Sequence, residues 1–102
     1  MNIDEDKFNV LRKINNENNL TQREIAELLN LSLGKVNYCL KALKEKGLVK
    51  IINFKKNSNK MTYFHVLTPK GLATKTWLTI NFMKRKMKEY DELKKEAEEL
   101  KQ

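Results

Sequence analysis

LTQREIAELLNLSLGKVNYCLKALKEKGLVKI, residues Leu20 to Ile51, reads as two capped helices, a glycine exit and the start of a strand. Thr21-Gln22-Arg23-Glu24 has the spacing of a capping box, and Leu20 stands where it can staple onto Ile25. The helix it opens carries Ile25, Leu28 and Leu29 and ends near Asn30. Ser32 is a good N-cap for the next helix. There Val36, Leu40 and Leu43 lie at i, i+4 and i+7, one helical face, flanked by Cys39 and Ala42. Lys35, Asn37, Tyr38, Lys41, Lys44 and Glu45 fall mostly on the other side. Gly47 ends the helix as a left-handed residue after its last turn.

Working outward, Phe8, Leu11 and Ile14 recur every three residues and predict a first helix from about Asp6 to Asn15. The polar run Asn15 to Asn19 ends it. Downstream, Leu48 to Phe54 and Met61 to Leu67 are β-branched and apolar, two strands around a polar turn at Lys55 to Lys60. Thr68-Pro69 then announces a helix, with proline at its first position. Nothing after Gly71 breaks that helix before about Leu100, which predicts a rod of roughly 50 Å. Its apolar residues include Trp77, Ile80, Met83, Met87, Tyr90 and Leu93. The steps from Ile80 to Tyr90 are three, four, three, as in a coiled-coil seam. The reading is a mainly α chain with a small β-hairpin wing, a winged helix-turn-helix followed by a long C-terminal coiled-coil helix. Residues 1–68 form the head and residues 69–102 the dimerisation helix, whose partner is a second copy of the chain.

The formal charge of +8 is concentrated. Ser32 to Lys70 holds nine lysines and one acid, Glu45, whereas the flanking segments nearly cancel. Charge so confined is suited to a polyanion. No apolar run approaches the roughly 20 residues needed to span a bilayer. The acidic start Met1 to Asp6 does not resemble a signal peptide, and a single cysteine leaves no intrachain disulfide framework. These features place the protein in the cytoplasm, away from membranes. No nucleophile–base pair, glycine-rich phosphate loop or metal-ligand spacing is present, so neither an enzyme, a metal site nor a cofactor is expected.

Leu20 to Ile51 resembles the DNA-binding core of MarR-like winged-helix transcriptional regulators. The Leu67 to Gly71 stretch, LTPKG, resembles that family's exit from the wing into the C-terminal helix. The short length and long basic helix look most like the small MarR-family regulators associated with exopolysaccharide gene clusters. The chain departs from typical members in lacking the long N-terminal dimerisation helix and in having one helix after the wing. The resemblance implies a homodimeric, sequence-specific double-stranded DNA-binding regulator, read here as a repressor.

Groove dimensions supply the mechanism, because an α-helix fits the major groove of B-DNA. The helix of residues 32–46 enters with its N-terminal turn. Ser32, Leu33, Gly34, Lys35, Asn37, Tyr38 and Lys41 are its contact candidates: Lys35 for guanine, Asn37 for adenine, Lys41 for phosphate. Thr21 and Gln22 start a helix and suit a backbone phosphate. Lys55, Lys56 and Lys60, with Asn57 and Asn59, place charge on the wing (residues 54–61) for the backbone or the minor groove. Against this stands a winged-helix protein-interaction module whose C-terminal helix pairs with another protein. Cys39 reads as a small core residue rather than a redox sensor, and His65 as an ordinary strand histidine. Trp77, Phe82 and the methionines read as core and dimer seam rather than as a small-molecule pocket.

Overall fold

The computed structural model describes residues 3–16, 18–57 and 60–101, and for 54–57 and 60–62 the backbone only. Helices α1 (Glu5–Lys13), α2 (Gln22–Leu29) and α3 (Leu33–Glu45) precede strands β1 (Val49–Asn57) and β2 (Lys60–Leu67) and the long helix α4 (Pro69–Leu100). Four short polar side chains fix the four helix starts. The Asp4 carboxylate accepts from the Lys7 N–H, and Ser32 Oγ accepts from that of Lys35. Thr21 and Thr68 do the same for Glu24 and Gly71. Glu24 completes the expected capping box by accepting from the Thr21 N–H at 3.0 Å. Each cap satisfies an N–H that the helix itself leaves without a partner.

The first helix is shorter than its sequence pattern suggests. Ile14 takes an extended conformation at its C-cap (ψ 120°) and drives its side chain into the core. In α2, which carries Ile25, Leu28 and Leu29, Ile25 and Ala26 are buried and Leu28 is exposed. At about 100° per residue, Leu28 lies roughly 160° around the helix from Ala26, at the edge of the buried face. Gly47 ends α3 with φ +75°, and Asn30 ends α2 in the same left-handed region with φ 55°.

The hairpin corrects the strand boundaries. Pairing is antiparallel from Val49↔Leu67 out to Lys55↔Met61 and Asn57↔Lys60, with an irregularity between Lys55 and Asn57. Lys55, Lys56 and Lys60 therefore lie in the strands, not in the turn. A two-stranded ladder is held by backbone groups, so lysines do not end it. The side chains of these lysines and of Asn57, and all of Asn59, lie outside the described residues.

The core joins all six elements except the outer part of α4. Val10, Leu11 and Ile14 meet Ile25, Val36, Leu40, Leu43, Leu48, Val49 and Leu67, and Leu78 packs against that cluster. Asn16, read from sequence only as a turn residue, has a structural task. Its Oδ1 accepts from the Leu67 N–H at 2.9 Å, and its Nδ2 donates to the Leu67 carbonyl at 3.5 Å. The side chain thus closes the end of β2 as a short third strand would. Asn16→Ala leaves those groups partly buried without that partner, and is expected to cost about 1–2 kcal/mol in urea unfolding at unchanged m-value. A loss under a few tenths would show that water replaces the amide fully.

Among the described residues, no helix is long and apolar enough to cross a membrane.

Candidate nucleic-acid interface

Helix α3 divides as its spacing requires. Val36, Cys39, Leu40 and Leu43 are fully buried, and Leu33, Gly34, Asn37, Tyr38 and Lys41 are exposed on the opposite side, with Lys35 half-buried. A methyl group added at Gly34 would meet nothing within 4 Å, so in the free protein the surface there is open. A major-groove reader needs this arrangement: an apolar back that fixes the helix and a polar front free of its own chain.

The front face is organised by contacts that the sequence did not reveal. Lys35 Nζ lies 3.6 Å from Asp6 Oδ2 and 5.3 Å from the centre of the Tyr38 ring. Lys7 lies over the same ring at 5.4 Å. The first turn of α1 therefore supplies an acid and a cation to the first turns of α3. Twenty-nine residues separate Asp6 from Lys35, so no local pattern signals the pairing. An exposed pair of this kind contributes at most about 1 kcal/mol. Lys35 must leave Asp6 before it can bond to any other anionic or acceptor group. Asp6→Asn is accordingly expected to tighten binding to DNA by up to about fivefold at low salt, and less as salt rises. Titration of labelled duplex with the two proteins checks this; weaker binding by the variant would reverse the role given to Asp6.

Thr21 and Gln22 sit at the start of α2, beside α3. Thr21 is committed to the capping box through both its hydroxyl and its N–H. Gln22 Nε2 donates to the Leu33 carbonyl at 3.5 Å, linking the two helix starts. The other end of α3 is tied to α4. Thr68 Oγ1 donates to the Gly47 carbonyl at 2.6 Å and Lys70 Nζ donates to that of Lys46 at 3.1 Å. The Thr68 N–H donates to Leu48 O at 3.0 Å. The orientation of α4 thereby fixes that of α3.

Helix α4 presents two apolar stripes on opposite sides. Gly71, Thr74, Leu78 and Phe82 face the head, where Phe82 meets Phe8 with ring centroids 5.4 Å apart. Arg12, Arg85 and Lys86 surround the Phe82 ring. A hollow of about 300 Å³ lies between Ile3, Phe8, Leu78, Phe82 and Arg85. Trp77, Ile80, Met83, Met87, Tyr90 and Leu93 lie on the other side, 43–64 % exposed. Trp77 and Phe82 thus lie on different sides of the helix.

Cys39 is fully buried, and burial pushes its thiol pKa up, the reverse of what a reactive thiolate needs. Burial, aided by Lys44, pulls His65 below the ordinary histidine value, so it stays neutral at pH 7. Among the described residues, no group of three or more His, Cys, Asp or Glu side chains could hold a metal ion.

Residues 3–50 match the family described as winged helix-turn-helix DNA-binding. Among solved structures, ZitR of Lactococcus lactis, described as a zinc-responsive MarR family member, superposes with a TM-score of 0.72 at 22% identity, over 91% of this chain and 62% of that one. AdcR, the adhesin competence repressor of Streptococcus pyogenes, gives 0.72 at 16% identity, over 89% and 64%. FabT of Streptococcus pneumoniae, solved in complex with DNA, gives 0.68 at 20% identity, over 86% and 59%. The fold is a MarR-like winged helix-turn-helix. The chain spans about 60% of the length of these three structures. No curated protein sequence matches it significantly. In winged-helix terms, α2 and α3 are the helix-turn-helix, β1 and β2 the wing, and α4 the helix that leaves it.

Proposed function

We propose that this winged helix-turn-helix is a sequence-specific, double-stranded DNA-binding regulator of transcription that acts in the cytoplasm as a homodimer. The observation that carries the reading is the front of α3, where Leu33, Gly34, Asn37, Tyr38 and Lys41 stand exposed over a fully buried back. Helix α3 enters the major groove, with Lys35 and Asn37 meeting bases, Tyr38 meeting a phosphate or a thymine methyl and Lys41 meeting phosphate. Thr21, Gln22 and Ser32 position the two helix starts. Lys55, Lys56 and Lys60 place charge along the wing, where lysine acts as a point charge without the fork of arginine. The match of residues 3–50 and the FabT–DNA structure support this reading, and the description of AdcR as a repressor supports repression as its outcome. Residues 1–68 serve as the DNA-binding head, and residues 69–102 hold two heads together.

Selection from random duplexes, followed by titration of the selected site and a scrambled one, tests the reading. Lys35→Ala is expected to weaken the selected site by about tenfold or more and the scrambled site little. Lys56→Ala should weaken both alike and flatten the salt dependence by about one phosphate contact. Equal losses on both sites for both variants would mean that charge alone binds DNA.

The exposed outer face of α4 also suits a module whose last helix pairs with a different protein. Light scattering on the pure protein separates the two: a dimer supports the regulator, and a monomer that ignores DNA at low salt supports the module.

A further inference from the structure

The outer stripe of α4 reads the same in both directions. From Ala73 through Trp77, Ile80, Met83, Met87, Tyr90 and Leu93 to Ala97 the steps are four, three, three, four, three, three, four. The midpoint is Arg85, which itself lies on the opposite side of the helix, against Phe82. Size follows the same symmetry: alanine stands at both ends and large side chains between. The mean step is close to the 3.5 residues of a left-handed coiled coil.

Charge divides at the same point. From Pro69 to Lys84 the helix carries Lys70, Lys75 and Lys84 and no acid. From Lys86 to Leu100 it carries six acids against four lysines. The basic half is also the half that holds the basic head, whereas the acidic half projects beyond it, exposed on every side. The length of the molecule, 67 Å against 26 and 23 Å across, is set by that projection.

Resting on the homodimer proposed above, we propose that two copies of α4 pair antiparallel, with the two-fold axis beside Arg85. A two-fold interface requires that if residue i meets j, then j meets i. A stripe symmetric about its own midpoint satisfies this along its whole length. Met83 then meets Met87 of the partner subunit, Ile80 meets the partner's Tyr90, and Trp77 meets the partner's Leu93. The acidic end of each helix lies along the basic end of the other and against its basic head. A parallel pair instead stacks lysine-rich half on lysine-rich half and acidic half on acidic half. The helix dipoles favour the antiparallel pair in the same sense. The face used lies opposite the one packed on α1, so the second helix can run past the head without displacing α1.

The arrangement sets where the heads stand. Thr74, buried against the head, lies eleven residues from the axis, so the two attachment points are about 33 Å apart along the rod. That is close to one turn of B-DNA, the spacing at which two recognition helices reach successive major grooves on one side of the duplex.

Cysteine cross-linking of the full chain tests the orientation. In the antiparallel pair Ile80→Cys in one chain stands beside Tyr90→Cys in the other, while two copies of Tyr90→Cys are about 15 Å apart, beyond the reach of a disulfide. Mixing the two variants under mild oxidation is expected to give the mixed disulfide dimer on a non-reducing gel, with little dimer from either alone. Cys39 is fully buried, so the unmodified protein supplies a low background. Efficient linking of Tyr90→Cys to itself overturns the proposal in favour of a parallel pair, and so does a dimer by light scattering in which the mixed disulfide does not form. A monomer by light scattering overturns the homodimer itself and the pairing with it.

Discussion

Ile80→Glu combined with Met87→Glu is expected to leave a folded monomer that binds a two-half-site duplex about 10²–10⁴-fold more weakly than the parent protein. Both side chains lie on the outer stripe, and neither belongs to the core of the head. Far-UV circular dichroism and the unfolding of the head should therefore change little. Pairing, by contrast, would bury four carboxylates among methionines and aromatic rings, each at a cost of several kcal/mol unless it is protonated. The large effect on DNA follows from linkage. With two heads joined, the second half-site is bound at an effective concentration set by the rod, and losing that removes the avidity without changing a single base contact. Binding to a duplex with one half-site should be nearly unaffected. That comparison separates loss of pairing from damage to α3. Equal loss on one and two half-sites would mean that α4 acts on the head and not through a partner.

Local chemistry made much of this fold legible. Thr21-Gln22-Arg23-Glu24, Ser32, Gly47 and Thr68-Pro69 each fix a boundary through contacts within a few residues, and the structure places the helix ends beside them. The span of α4 followed from the absence of any breaker after Gly71. What was not legible depends on residues distant in sequence. Leu28 shares the apolar spacing of Ile25, yet the buried face is centred between Ile25 and Ala26 and leaves Leu28 at its exposed edge. The turn reading of Lys55 to Lys60 relied on composition, whereas strand pairing is decided by the backbone of both strands together. Asn16 against Leu67 and Asp6 against Lys35 join segments 51 and 29 residues apart. At the candidate interface, the exposed front of α3 could be read from spacing, because a buried face at i, i+4 and i+7 leaves only one other face. The acid lying on that front could not.

Gly71→Ala and Gly34→Ala, the same chemical change, are expected to move stability in opposite directions. A Cβ on Gly71 would fall well inside the contact distance of the Leu48 carbonyl oxygen, with the carbonyl carbon and Cα of Leu48 close behind. These are backbone atoms of a buried residue, so no side chain can swing aside. That oxygen also accepts from the Thr68 N–H at 3.0 Å. To admit the methyl group, the first turn of α4 must move off the junction between α3 and β1. The Thr68 and Lys70 bonds to Gly47 and Lys46 would be lost with it. Overpacking against a rigid neighbour costs about 1–3 kcal/mol, and the broken hydrogen bonds add to it. A loss of about 3 kcal/mol or more, and a drop in Tm of at least about 12 °C for a domain of this size, is expected. DNA binding should fall too, since α4 then no longer sets the angle of α3. Gly34 has open space around its Cβ position. Alanine there restricts the unfolded chain and suits the helix, so it is expected to raise stability by about 0.5 kcal/mol. It should nonetheless weaken DNA binding, because the methyl group stands on the face meant to approach the groove. Thermal and urea unfolding measured beside duplex titration would read all four effects. A stable Gly71→Ala protein would show that the junction is soft, and tight DNA binding by Gly34→Ala would show that the front of α3 keeps its distance from the bases.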